Sequence, residues 1–433
     1  MSDRHTADDH VGAGTIAQLP PRVPLLRRLG PGLVTGAADD DPSGIGTYSQ
    51  VGAQFGYGLA WTMVFSFPLM AAFQLVCARI GAVTGTGIAA SLRRHYSPWL
   101  LRAIVVLLLV ANIVNLSADL GAMGAAAKLL IGGPGHLYTA LFGVACVVAQ
   151  TFISYTRYAS VLKWLTLSLF AYVAVVFTAG VDWPAAARGA LIPSFSLDAS
   201  HATALVAVLG TTISPYLFFW QSSQEAEDGR RRHVPPLGSR PEAAAPELAR
   251  IKFDTIVGMG VSNLIALAII LATAATLNAN GVTDIETSSQ AAEALRPVAG
   301  DFAFALFALG IIGTGLLAVP ILAGSAAYAV SEMFGWNASL ESRPAQAKAF
   351  YATIAIATIG GVALEFVEVD PVKALYWSAV VNGVLAAPLM AVIMLIACNA
   401  TIMGPLVLPR ALRVVGWLAT AVMAAVTLAF FLA

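Results

Sequence analysis

The stretch "GAADDDPSGIGTY", Gly36 to Tyr48, lies inside an apolar run that extends from Pro31 to Phe55. Three consecutive aspartates followed by proline ordinarily mark a solvated turn. An uninterrupted membrane helix here would carry each carboxylate into hydrocarbon, at ~2.5–3.5 kcal/mol apiece on insertion scales. Pro42 removes a backbone hydrogen bond and disfavours helix in the residue before it. The expectation is a helix that breaks around Ala38 to Asp41, with Asp41 capping a second half-helix and Pro42 at its first position.

The rest of the chain supports a membrane setting. Of 433 residues, 58% are hydrophobic and 11% charged, where a soluble domain carries about 25% charged residues. Mean hydropathy is +0.77. Apolar runs of membrane-spanning length recur. Eleven spans are expected, at 31–54, 57–79, 102–130, 136–156, 160–180, 202–224, 253–277, 302–333, 349–367, 372–398 and 412–432. With the N-terminus inside, the cytoplasmic segments collect 20 of the 24 Lys and Arg residues, and the outer side keeps 24 − 20 = 4: Lys128, Arg188, Arg296 and Lys373. This asymmetry predicts a cytoplasmic N-terminus and an outer C-terminus in the cytoplasmic (inner) membrane.

Residues 1–28 read as a disordered cytoplasmic tail and 29–433 as one transmembrane domain. The segment "EAEDGRRRHVPPLGSRPEAAAPELARIK", Glu225 to Lys252, reads as a solvated linker whose basic run can touch anionic lipid. "SSQAAEALRPV", from Ser288, suggests a short amphipathic helix in an outer loop. The formal net charge of +0 gives no footprint for nucleic acid. Cys77, Cys146 and Cys398 stand apart in apolar runs and read as packing residues. GxxxxGKS and HExxH motifs are absent, so neither ATP-driven pumping nor enzymatic activity is expected, nor a cofactor.

A second break is written into span six, "ATALVAVLGTTISPYLFFWQSSQ". Gly210 and small polar residues precede Ser214-Pro215, and aromatics follow, at about the depth of the first break. Interrupted segments five spans apart point to a transporter whose site lies between two inverted five-span repeats, here 29–180 and 202–398, with 412–432 as an extra helix. Irregular backbone at membrane depth is tolerated where it lines a cavity or is buried in protein. Carbonyls freed there, with Asp41, would form a hard oxygen-only cation site. Asp39 and Asp40 rank below Asp41, as vestibule groups or as partners of Arg or backbone N–H.

"GPGLVTGAADDDPSG" resembles the first helix of the Nramp (natural resistance-associated macrophage protein) divalent-metal transporters. Eight residues separate Gly30-Pro31-Gly32 from Asp41-Pro42, as in that family's Gly-Pro-Gly and Asp-Pro-Gly-Asn motifs. "GTTISPYLFFWQSS" is similar to the family's sixth helix and "NIVNLSADLGAM" to its third. The resemblance implies an all-α LeuT-type fold and alternating access, with a divalent metal cation as cargo. It places Asp41 on the metal-binding aspartate, Ala38 and Thr211 on backbone-carbonyl ligands, Ser214 on the binding methionine, and Asp119 on the third-helix aspartate linked to proton movement. Asp40, Tyr216, Gln221 and Gly44 fall on pathway or coupling positions.

The departures from the family are chemical. Gly44 stands where the family has a binding asparagine. Ser214 replaces the methionine, Tyr216 the histidine after proline, and Gln221 a later histidine. Ala122 and Asn112 replace two glutamates, and span nine carries no arginine. Loss of a soft thioether favours a hard cation, and the chain looks like the family's branch of Nramp-related magnesium transporters. A wider, wetter pocket suited to partly hydrated Mg²⁺ is the expectation. All six histidines lie at span ends or in loops, so weakly coupled or uncoupled uptake of Mg²⁺ or Mn²⁺ is expected, by a monomer.

Alternatives kept open are a proton-coupled Mn²⁺/Fe²⁺ symporter, an amino-acid carrier of the same fold, and an intramembrane aspartyl protease using Asp41 and Asp119. Asp119 can equally be a structural partner of Asn115. Gly310 and Gly313 read as close helix packing, and Asn382 as an inter-helix hydrogen bond more than a pathway group.

Overall fold

The computed structural model describes residues 30–153, 158, 165–196, 198–366 and 370–433, and the regular structure among them is helical. Nine described helices are long and apolar enough to cross a membrane. They correspond to spans two to four and six to eleven. Span one falls outside that set because of its three aspartates; like span six it is two helices, Pro31–Asp39 and Pro42–Phe55, of 9 and 14 residues. At 1.5 Å per residue these are about 14 and 21 Å long, so only together do they match a bilayer's ~30 Å. Span five is described from the 3₁₀ turn Leu165–Leu169 into the helix Phe170–Thr178. Its expected start, the end of span four after Ile153, Arg157, Lys163 and the expected tail lie outside the described residues. The chain is a multi-pass integral membrane protein.

Several boundaries differ from the sequence expectation. Span two is Trp61–Thr84 and span three Pro98–Ile131, where Ser97 caps the helix start with its hydroxyl. Two short helices, Ile88–His95 and Trp183–Leu191, were not expected. The outer-loop helix forms at Ser288–Glu293, under a capping box between Thr287 and Gln290.

The Glu225–Lys252 segment is a linker only in its middle. Helix Pro215–Arg231 continues into it as far as Arg231, and span seven already begins at Ala244, which leaves the mostly exposed residues 232–243 to connect them. The reason is charge pairing. Arg250 bridges Glu225 at 3.0 Å, Asp228 at 3.4 Å and Glu247 at 2.8 Å, while Arg232 holds Glu247 at 2.6 Å and Asp228 at 3.2 Å. A run that looks like a polar tether is therefore a folded ion-pair cluster. It defines one end of the bundle, called the basic end below.

Glycine sets how the first half-helix docks. A Cβ on Gly36 would stand 2.2 Å from the Gly258 carbonyl oxygen, and one on Gly258 would stand 2.2 Å from that of Gly32. The Pro31–Asp39 helix thus lies backbone to backbone on span seven, a small-residue contact of the membrane type. Span six meets span ten in the same way at Gly210, where a Cβ would be 2.1 Å from the Ala379 carbonyl oxygen. Gly310, expected to mark close packing, meets only ordinary contacts at 3.5 Å, whereas Gly315 and Gly324 press on Met123 and Trp220.

Candidate functional site

Both breaks follow from one rule. In an α-helix each carbonyl accepts from the N–H four residues on. For Ala38 that residue is Pro42, and for Thr211 it is Pro215; neither has an N–H. Two carbonyls are thereby freed at membrane depth. Asp40 and Asp41 separate the halves of span one, and Ile213 and Ser214 separate helices Ala199–Thr212 and Pro215–Arg231. Asp41 caps the second half of span one as expected, its Oδ1 accepting from the Gly44 N–H at 2.7 Å.

The two breaks meet at Tyr216. Its hydroxyl donates to the Ala38 carbonyl at 2.9 Å and to Asp41 Oδ2 at 3.1 Å. The Thr211 carbonyl accepts from the Ser214 hydroxyl at 2.6 Å, and that hydroxyl also lies 3.1 Å from the Gly210 carbonyl. Each freed carbonyl is thus met by a hydroxyl. Among the described residues the Thr211 hydroxyl has no hydrogen-bond partner. It points at Gly44, whose Cβ position would be 3.3 Å from Thr211 Oγ1, 3.4 Å from Asp41 Oδ1 and 3.2 Å from the Asp39 carbonyl oxygen. The gap expected at Gly44 is therefore lined by three oxygens and is not wide. Asp41, Thr211, Ser214 and Tyr216 are all nearly inaccessible to solvent, so the expected roomy, wet pocket is closed in this conformation.

Asp39 and Asp40 turn to span seven. The Ser262 hydroxyl donates to Asp39 Oδ2 at 2.8 Å and lies 3.1 Å from Asp40 Oδ1. The partner is a hydroxyl, not the arginine or backbone N–H expected. Asp119 faces Asp41 and the Ser43 amide across the break, yet neither of its oxygens makes a hydrogen bond among the described residues. Asn115, the partner offered as an alternative to a proton role, has neither of its polar atoms hydrogen-bonded among the described residues. Asn112 instead donates to the Leu322 carbonyl at 2.9 Å and to Ser325 at 2.6 Å. The Asn382 side-chain nitrogen is buried and, among the described residues, makes none of the inter-helix hydrogen bonds expected of it.

Towards the basic end the site is sealed by a second layer. Thr35 donates to the side-chain oxygen of Gln221, and Gln221 donates to Glu225 at 3.1 Å, which is paired with Arg250. Asp254 accepts from three backbone N–H groups at the start of span one: Gly30 at 2.9 Å, Gly32 at 2.7 Å and Leu33 at 3.2 Å. It fills the anion position at a helix N-terminus. Gln221 is thus part of the seal and not of the oxygen cluster. At the opposite end a cavity of about 550 Å³ opens between span one's second half, the start of span six and span ten; Gln50, Gln54, Thr203, Asp284, Lys373 and Tyr376 line it.

Comparison with known proteins follows the same geometry. Residues 32–433 match the family model "Natural resistance-associated macrophage protein-like". The chain belongs to the Nramp family. One similar protein is the "Divalent metal cation transporter MntH" of Klebsiella pneumoniae (strain 342), 27% identical over 409 residues and 92% of each chain. Another, of the same description from Yersinia pestis (strain Pestoides F), is 28% identical over 297 residues, 67% of this chain and 69% of that one. Among solved structures, the Eremococcus coleocola manganese transporter in complex with an aromatic bis-isothiourea substituted compound superposes with a TM-score of 0.75 at 18% identity, covering 93% of this chain and 85% of that one. Mhp1, a nucleobase-cation-symport-1 family transporter, superposes at 0.54 with 15% identity, covering 93% and 92%. The fold of this Nramp chain is the LeuT type, with helices one and six broken.

Sequence reasoning missed Ser262, Asp254 and the Thr211 hydroxyl. Ser262 and Asp254 carry no local signal, since each acts on backbone or carboxylate more than 200 positions away. The Thr211 hydroxyl had one: a threonine four residues before a proline offers its side chain at the place where its carbonyl is freed.

Proposed function

We propose that this chain is a secondary transporter that imports a divalent cation, Mg²⁺ and/or Mn²⁺, by alternating access between the two broken helices. The supporting observation is the donor set. Asp41, the Ala38 and Thr211 carbonyls, and the hydroxyls of Thr211, Ser214 and Tyr216 are all oxygen, and a carboxylate among neutral oxygens suits a hard cation. Among the described residues no cluster of three or more His, Cys, Asp or Glu side chains could hold a metal permanently. One carboxylate with neutral oxygens fits a cargo that must also leave.

The proposed direction of opening follows the two ends. The cavity beside span ten would be the outer entrance, and the Arg250–Glu225 layer the barrier that must part for release. The proposed carrier sits in the cytoplasmic (inner) membrane with N-terminus inside and C-terminus outside. Residues 29–180 and 202–398 form its inverted repeats, 412–432 its extra helix, and it works as a monomer. Uptake is little coupled or uncoupled to protons, driven by membrane potential at ~2.3 kcal/mol per charge per 100 mV. The absence of histidine at the breaks supports this.

A second reading, proton-coupled Mn²⁺/Fe²⁺ symport, is favoured by the buried Asp119 facing Asp41, whose oxygens make no hydrogen bond among the described residues. Uptake of Mg²⁺, Mn²⁺ and Ca²⁺ into liposomes, with internal pH followed at the same time, separates the two. The first reading expects Mg²⁺ or Mn²⁺ entry driven by potential without acidification. Metal-driven acidification, with Mg²⁺ excluded, would establish the second.

A further inference from the structure

The hydroxyl of Tyr216 has one proton and two acceptors. It lies 2.9 Å from the Ala38 carbonyl and 3.1 Å from Asp41 Oδ2, two groups of span one that carry negative potential into the break. Its ring is held rigidly: Tyr216 is 1% exposed and sits in the first turn of helix Pro215–Arg231. The hydroxyl is therefore fixed at the point where both oxygens aim. That is also where a cation bound by both would have to come within ligand distance, about 2.0–2.6 Å for Mg²⁺ or Ca²⁺.

A cation and a hydroxyl proton cannot share that point. A hydroxyl can, however, be donor in one state and acceptor in the other. In the empty carrier its one proton is shared between the freed carbonyl and the carboxylate, so both oxygens face a donor in a closed, dry site. With a cation present the proton turns away, and a lone pair faces the ion or a water the ion retains. A phenylalanine supplies neither state, and an imidazole supplies a softer nitrogen in place of an oxygen.

We propose that Tyr216 is a specificity-determining residue of the transport site, a placeholder for the cation when the site is empty and an oxygen partner to the cation or its retained water when it is loaded. The proposal rests on the reading of Asp41 as the transport ligand. It ties discrimination between Mg²⁺ and Mn²⁺ to one atom. Mg²⁺ demands near-octahedral oxygen geometry and gives up water reluctantly, so it loses more than Mn²⁺ when an oxygen partner is deleted.

The test uses the full chain in liposomes, with Mg²⁺ and Mn²⁺ uptake measured for wild type, Tyr216→Phe, Tyr216→His and Asp41→Ala, and cation binding titrated on the same purified proteins. Tyr216→Phe keeps the ring packing and is expected to raise the KM for Mg²⁺ by roughly tenfold, the scale of one lost ligand-type hydrogen bond, while moving that for Mn²⁺ less. Tyr216→His is expected to shift the KM ratio further towards Mn²⁺. Asp41→Ala is expected to abolish both fluxes. If both Tyr216 variants keep the wild-type KM ratio while Asp41→Ala is dead, the Tyr216 assignment is overturned and the site stands. If Asp41→Ala transports like wild type, the site reading fails and takes this inference with it. Should Tyr216→Phe be poorly folded by its melting curve, the His variant and the binding titration decide the question.

Discussion

Replacing Asp254 by asparagine should loosen the start of span one. Three backbone N–H groups, of Gly30, Gly32 and Leu33, donate to the two oxygens of this carboxylate at 2.9, 2.7 and 3.2 Å. Asparagine keeps one acceptor oxygen, puts an NH₂ against amide donors and removes the charge. Hydrogen bonds to a charged group contribute about 1.5–3 kcal/mol each. Losing one, with the charge interaction at the helix N-terminus, weakens the clamp by ~2 kcal/mol, or about 30-fold in an opening equilibrium. Hydrogen–deuterium exchange of the 30–39 segment, measured on the protein in nanodiscs, reads that opening directly. The expected result is exchange faster by about that factor in 30–39, with the span three and span eight segments unchanged. Unaltered exchange in 30–39 would refute the view that Asp254 holds the first half-helix shut.

Other substitutions probe the site and its frame. Gly44→Ala places a Cβ 3.2–3.4 Å from three oxygens; melting should stay unchanged or rise, by up to ~1 kcal/mol of helix propensity, while cation uptake falls by roughly tenfold as Asp41 and Thr211 are displaced by tenths of an ångström. Gly36→Ala drives a Cβ to 2.2 Å from the Gly258 carbonyl oxygen, forcing two backbones apart at about 3 kcal/mol or more, so little folded protein should be recovered by size-exclusion chromatography. Asp119→Asn should lower cation affinity in binding titrations, by removing a negative charge facing Asp41, yet leave uptake insensitive to an imposed pH gradient. A gradient response present in wild type and lost in this variant would favour proton coupling.

The local consequences of proline were legible in the sequence, and the long-range ones were not. Pro42 and Pro215 announce both breaks, and with them the freed Ala38 and Thr211 carbonyls, because the missing N–H is a property of one residue. Span lengths were equally readable from hydropathy, apart from span ends where polar residues continue the helix: Glu225 to Arg231 looked like a linker because a window sees Glu225 and Asp228 but not their partner Arg250, 25 and 22 positions on. The same limit applies to Asp39 and Asp40. A run of three carboxylates reads as one feature, and only the tertiary arrangement separates Asp41, turned to Tyr216, from the pair turned to Ser262. The expected emptiness at Gly44 failed for a related reason. Deleting a side chain from a family pattern suggests space, whereas here the Thr211 hydroxyl leans into that space.

The central claim is that Asp41 and the oxygens around it carry a divalent cation across the membrane. Purified wild type and Asp41→Ala, reconstituted in liposomes at equal density and assayed for Mg²⁺ and Mn²⁺ uptake under an inside-negative potential, test it most directly. The account predicts clear uptake by wild type and background flux from the variant, with both proteins melting normally. Equal uptake by the two would contradict it.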